Sequence, residues 1–281
     1  MDKTAIVSDS TSDLTPETIK RYNIRILPLR VIYTDGEYRD RVDITPEEIY
    51  SRFKEEIPTT SLPSPQDSVD LFNQLKQEGY THAIIVTISS GISGTMNMIR
   101  NIADSYEGLS FEIIDSKSLT MGAGFAIIEG AKELEKTNDF EKAVNRIKAV
   151  LKGTKVYYVV QTLEYLKKGG RIGKVEGTIG ELLNIKPIIS INEDGVYYSY
   201  KKVRGRSRSI EELLEIIKEK AKETLVNIAI AHGDAFLEAQ DLLKKVKELK
   251  NINETVFTQI SPVLVVHTGP GLIGIVISEV N

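Results

Sequence analysis

The chain has 281 residues, a formal charge of −4 and 41% apolar residues. That composition excludes a disordered chain and argues against a protein whose main task is gripping nucleic acid. The absence of cysteine excludes disulfides, thiol nucleophiles and cysteine-ligated metals, and with only His82, His232 and His267 no zinc site, and no metal at all, is expected.

The length suits one large domain or two ordinary ones. The first residues, Met1 to Ser8, run straight into a strand-like segment with no charged leader, long apolar core or cleavage site. No stretch approaches the roughly 20 apolar residues of a membrane span. The expectation is a soluble, cytoplasmic protein without stable membrane anchoring.

In chain order, Thr4–Ser8 reads as a short buried strand. Thr15-Pro16-Glu17 marks a helix start, with an N-cap, a proline at the first helical position and an acid in the first turn. Thr45-Pro46-Glu47-Glu48 repeats the device as a capping box, and Ser64-Pro65-Gln66-Asp67 is a third case. His82–Ile88 is a β-branched apolar run and reads as a buried strand. A helix is predicted from near Ser93, a strand over Phe111–Asp115, and a long helix from Ser118. In the next helix Phe140, Ala143, Val144, Ile147, Val150 and Leu151 share one face. Strands separated by helices predict a mostly parallel sheet covered on both faces.

The pattern changes near residue 153. Lys155–Val160 reads as a strand, and Pro187–Ile191 and Val196–Val203 flank Glu193-Asp194-Gly195, a hairpin signal. Helices carrying Leu213, Leu214 and Ile217, then Phe236, Ala239, Leu242, Leu243 and Val246, bracket a strand over Val226–Ala231. Thr255–Ile260, Val263–His267 and Ile273–Glu279 read as three closing strands. The expected fold class is α/β in two domains: 1–153 with the mostly parallel sheet, and 154–281 with a mixed or antiparallel sheet backed by helices.

Four separated motifs could hold one anion. Ser89–Thr95 lies between a predicted strand and a predicted helix, where small residues permit a tight turn and a helix start offers free N–H groups and a positive dipole end. Ser93 either faces an anion there or simply caps the helix. Thr60 and Ser61 lie just upstream of a cap, which leaves their hydroxyls free for a ligand. Gly169-Gly170-Arg171 sets an arginine, suited to bidentate contact with a carboxylate or phosphate, behind two flexible residues; a helix C-cap followed by a solvated arginine is the plainer reading. His267 opens the turn Thr268-Gly269-Pro270-Gly271. Asp9-Ser10-Thr11 follows the first strand, where parallel sheets carry ligands, and serves either a ligand or a cap. Lys201–Arg208, with Arg204 and Arg206, is the densest basic run and a candidate docking surface for a partner.

Two other readings follow from the same letters. Gly91-Ile92-Ser93-Gly94-Thr95 approximates a nucleophile elbow, although Thr95 replaces the final glycine. Ser93 and His267, with an acid such as Asp9, would then form an acyl hydrolase. Gly269, Gly271 and Gly274 spell G-x-G-x-x-G, but a strand-like run follows instead of a helix, which excludes a dinucleotide site. No G-x-x-x-x-G-K-[ST] sequence supports a free-standing kinase.

Taken together, Asp9-Ser10-Thr11, Thr60-Ser61-x-Pro63-Ser64, Ser90-Gly91-x-Ser93-Gly94-Thr95, Leu166-x-x-Gly169-Gly170-Arg171-Ile172, Leu183-x-Ile185-Lys186-Pro187 and His267-x-Gly269-Pro270-Gly271 resemble the DegV family along nearly the whole chain. The resemblance implies a bacterial, two-domain lipid-binding protein, α/β/α (Rossmann-like) in three layers and then α/β in two. A long-chain fatty acid, palmitate-like or oleate-like, is implied in a buried tunnel between them, with no other cofactor. The family's carboxylate-binding Thr, Ser, Arg and His correspond to Thr60, Ser93, Arg171 and His267. Ser61 and Gly94 stand beside them, and Ser10, Thr11, Thr95, Thr268 and Gly269 are secondary candidates. Some members are the acyl-carrying subunit of a two-component fatty-acid kinase whose partner binds ATP. The implied role is therefore lipid transport or fatty-acid metabolism, without catalytic residues in this chain.

Overall fold

The computed structural model describes residues 3–178 and 185–280, so Leu183 of the sequence motif lies outside the described residues. The elements run β1 (Thr4–Asp9), α1 (Pro16–Arg21), β2 (Arg25–Leu27), β3 (Arg30–Tyr33), β4 (Gly36–Arg39), α2 (Pro46–Arg52), β5 (Thr59–Ser61), α3 (Pro65–Gln77), β6 (His82–Thr87), α4 (Thr95–Ala103), β7 (Ser110–Asp115), α5 (Met121–Thr137) and α6 (Phe140–Lys152). They continue with β8 (Thr154–Val159), α7 (Glu164–Lys168), β9 (Ile188–Ile191), β10 (Tyr197–Lys201), α8 (Arg206–Glu223), β11 (Val226–Gly233), α9 (Phe236–Lys247), β12 (Ile252–Gln259), α10 (Pro262–Thr268) and β13 (Leu272–Glu279).

The strands form a parallel sheet of order β2-β1-β6-β7, a mixed sheet of order β10-β9-β8-β13-β11-β12 and a small antiparallel sheet of order β4-β3-β5. The fold is therefore α/β with one parallel and one mixed sheet. The T-P-E and S-P segments start helices as their chemistry dictates. Thr45 and Glu48 form a reciprocal capping box, and Ser64 forms one with Asp67. Helix α5 is buried along most of its length because it packs on both large sheets. Met121, Phe125 and Ile127 join Ile6, Ile84 and Val86 on one side to Val156, Ala229 and Val276 on the other in one apolar cluster.

Two readings of the sequence need correction. Val263–His267 is not a strand but most of helix α10. Ser261-Pro262 places a cap-conformation residue before a proline at the first helical position, and a short apolar run buried on all sides carries no period that separates strand from helix. The segment from 25 to 61 contributes four short strands where none was expected. Its turn signal is Asp35-Gly36, where the two-residue turn Thr34-Asp35 leads from β3 into β4. Thr60 and Ser61 consequently sit on the strand edge β5, paired with Val31 and Arg30.

Candidate functional site

A cavity of about 200 Å³ gathers residues from both halves of the chain: Thr11, Leu29, Thr60, Ser61, Ile88, Ile92, Ser93, Arg171, Tyr197, Val263, Leu264, His267 and Thr268, with Leu62, line it. Thr60 and Ser61 arrive on β5. Ser93 comes from the turn after β6, where its hydroxyl contacts Thr95 Oγ1 at 2.8 Å and accepts from the Thr95 N–H at 3.3 Å. That turn is pinned to the other half of the chain, since Ser89 Oγ donates to Gly195 O at 2.8 Å in the β9–β10 turn.

Arg171 is placed by the end of α7. The Gly170 N–H donates to Lys167 O and the Arg171 N–H to Leu166 O, while Gly170 has φ +68. This is the paired bonding of a Schellman cap, which needs a left-handed residue at Gly170. The C-cap reading of these glycines is thus right, yet the arginine is only half exposed, and its Nη1 donates to Gly169 O at 2.8 Å. Leu166, wholly buried, anchors the helix beneath it.

His267 stands at the last turn of α10. Its Nε2 lies 2.7 Å from Thr60 Oγ1, and its Nδ1 has no hydrogen-bond partner among the described residues. The ring borders the cavity but is otherwise walled by protein. Burial, reinforced by the positive charge of Arg171, lowers its pKa to about 4, so it is neutral at pH 7. Gly169 forms part of that wall, because a Cβ there would lie 2.1 Å from His267 Nδ1. Gly169→Ala is therefore expected to lower stability by about 1–3 kcal/mol through overpacking and to part His267 from Thr60. Unchanged thermal denaturation would show that the wall yields.

The remaining candidates fall differently. Thr11 and Thr268 line the cavity, but their hydroxyls donate to Asp9 Oδ1 at 2.5 Å and to Leu264 O at 2.8 Å. Ser10 is buried and receives the Leu29 N–H, and Thr95 is buried against Ser93; neither lines the cavity. Gly94 packs beside Leu62, and Gly269 closes α10 with φ +68 against the Tyr165 ring. Arg204 is exposed, whereas Arg206 is ion-paired with Glu238 at 2.6 Å. The hydrolase reading lacks its geometry: Ser93 is bonded to Thr95, His267 Nε2 faces Thr60, and Asp9 is taken by Thr11 and by the Ile88 N–H at 2.6 Å. The sequence did not mark the apolar lining or Tyr197, because such residues carry no local signal that separates a pocket wall from core.

Beside this cavity lies a second, almost purely apolar one of about 20 Å³. It shares Tyr197, Leu264 and Thr268 with the first and lies among the residues just before α5, α10 and the mixed sheet, lined by Leu119, Tyr158, Ala231 and Ile260 among others. Among the described residues no group of three or more His, Cys, Asp or Glu side chains could hold a metal, and no helix is long and apolar enough to cross a membrane.

The family model described as "Uncharacterised protein, DegV family" matches residues 3–280. A DegV domain-containing protein of Clostridium acetobutylicum is 49% identical over 99% of this chain and 100% of its own. Among solved structures, the fatty-acid-binding DegV family protein of Thermus thermophilus superposes with a TM-score of 0.92 at 28% identity, covering 99% of this chain and 100% of that one. A stearic-acid-binding protein from Eubacterium ventriosum superposes at 0.87 with 29% identity, covering 99% and 98%.

Proposed function

We propose a function that proceeds from a plain premise: the chain belongs to the DegV family. The protein binds a long-chain fatty acid, holding its carboxylate among Thr60, Ser61, Ser93, Arg171 and His267 and its acyl chain between the halves 1–153 and 154–281, which act as two domains. One observation carries this reading. The cavity that carries these polar groups borders an apolar one, the two sharing Tyr197, Leu264 and Thr268 in their walls, and that adjacency supports a ligand with one charged end and a hydrocarbon tail. The structures of fatty-acid-binding and stearic-acid-binding relatives agree with it.

The energetics are consistent with that division. Burying about fourteen methylenes at ~0.8 kcal/mol each favours binding by roughly 11 kcal/mol before ordering costs. A methylene fills about as much space as a water molecule, roughly 30 Å³, so the tail needs several hundred Å³ and enters by displacing side chains around Tyr197 and Leu264. The carboxylate must be compensated, because an unpaired buried charge is costly. With His267 neutral, Arg171 supplies the positive charge. His267 with its proton on Nε2 donates to Thr60 Oγ1, which leaves the Thr60 hydroxyl hydrogen free to donate to the ligand. A carboxylate held at the cavity mouth is presentable to an ATP-binding partner subunit for acyl-phosphate formation, and exposed Arg204 is the docking residue in this reading. The role is then transport or activation of fatty acids.

Native mass spectrometry of the purified protein, with lipid extraction after denaturation, tests this. A stoichiometric adduct of fatty-acid mass, or stoichiometric uptake of added palmitate or oleate, is expected. Protein that carries none and takes up neither refutes the reading.

A further inference from the structure

The buried carboxylates Asp13 and Asp40 lie outside the cavity but share one partner, the start of helix α10. Both are about 1% exposed. Asp13 Oδ1 accepts the Ser261 N–H at 2.9 Å, and Asp40 Oδ1 accepts the Val263 N–H at 3.2 Å. Ser261 has the backbone conformation of an N-cap, yet its own hydroxyl makes no cap bond and finds no partner among the described residues. The capping that a helix normally draws from its own sequence comes here from side chains more than two hundred residues away. Arg41 completes the arrangement, donating through one Nη to Asp13 Oδ1 at 2.9 Å and to Gln259 O at 2.6 Å. Thr258 Oγ1 donates to Asp13 O at 3.1 Å.

We propose that Asp13 and Asp40 are positioning residues for the ligand site, clamping the N-terminus of α10 from the other half of the chain and thereby fixing His267 at its far end against Thr60. Helix α10 has seven residues, so it is about 10 Å long, short enough to move as a rigid rod. Any shift at Val263 is carried to His267 with little loss. Val263 and Leu264 also line the cavity, so the same clamp sets the apolar wall. The charged groups facing the clamp are Arg41 beside both acids, Asp9 beneath Asp13, and Glu47 of α2, which accepts from Gln259 Nε2 at 2.8 Å.

The inference rests on the ligand reading above, and its test separates the two. The three histidines give a simple imidazole NMR spectrum in which His82, on β6 of the parallel sheet, serves as the internal reference. Asp40→Ala is expected to shift the His267 ring signals, leave those of His82 in place, and weaken palmitate binding about tenfold. Asp40→Asn keeps an acceptor oxygen for the Val263 N–H and is expected to restore both. If Asp40→Ala does not fold, Arg41→Ala loosens the same clamp from its partly exposed side, and the same shift with a smaller loss of affinity is expected. A variant with lowered thermal stability but unaltered His267 signals and palmitate affinity would overturn the proposal, leaving the acids as structural groups only. Wild-type protein that binds no palmitate would refute the ligand reading, while the ring signals, recorded without ligand, still decide whether the clamp exists.

Discussion

Arg171→Ala is expected to weaken palmitate binding about 30-fold while leaving the thermal transition nearly unchanged. Arg171 is the positive group of a cavity whose imidazole is neutral. Losing a hydrogen bond to a charged group typically costs about 1.5–3 kcal/mol. A half-exposed arginine falls in the middle of that range, and about 2 kcal/mol corresponds to roughly 30-fold in affinity. The structural cost is small, because the fold uses the Arg171 backbone N–H, which alanine keeps, and among the described residues the side chain bonds only to Gly169 O. Arg171→Lys retains the charge without the planar fork and should fall between the two proteins. The variant also reports on His267: with the guanidinium gone, one of the two causes that depress its pKa is removed, and the ring should titrate at higher pH. Calorimetric titration with palmitate measures the first effect and NMR titration of the imidazole the second. Equal affinity in wild type and Arg171→Ala would place the carboxylate elsewhere.

What the sequence made legible follows the range of each signal. Helix starts at Thr15, Thr45 and Ser64 rest on bonds made within four residues, and they stand where the letters put them. The β9–β10 hairpin over Asp194-Gly195 is equally local. Helix α10 was misread because its capping partners, Asp13 and Asp40, lie at the other end of the chain, and its seven residues are too few for a period to show. The same contrast divides the cavity. Ser93, Arg171 and His267 stood out as polar residues beside glycine-rich turns. Leu29, Ile88, Val263 and Leu264 look like any core residues until the tertiary structure sets them around one space. Asp9-Ser10-Thr11 could be ligand or cap by sequence; Asp9 holds the Thr11 N–H and the Ile88 N–H, so its carboxylate is committed to the scaffold.

The buried titratable groups predict opposing effects of pH on stability, separable by two substitutions. Burial raises the pKa of Asp40 from 3.8 to about 7, against the pull of the Ser10 hydroxyl and of Arg41. A carboxyl raised in the folded state binds its proton more tightly there than in the unfolded chain, so stability falls as pH rises from about 4 to 7. At about 1.4 kcal/mol for each pH unit between the two pKa values, the effect is of order 4 kcal/mol. His267 works the other way. Its pKa is depressed from 6.5 to about 4, the unfolded chain takes up the proton first, and stability falls as pH drops from 6.5 to 4 by up to about 3 kcal/mol. In the wild type the two slopes largely offset each other between pH 4 and 6.5, with Asp9 and Asp13, both raised by burial, adding to the Asp40 side. Asp40→Asn removes one slope, so its stability relative to wild type should climb steadily from pH 4 to 7 and then level off. His267→Gln removes the other, so relative to wild type it should gain stability on acidification from pH 6.5 to 4. Urea denaturation midpoints at pH 4, 5, 6, 7 and 8 measure both, and taking differences from wild type cancels the groups whose pKa values the substitution leaves alone. A flat difference for Asp40→Asn would mean that Asp40 is ionised in the folded protein at acidic pH, with Arg41 and the Val263 N–H outweighing the cost of its burial.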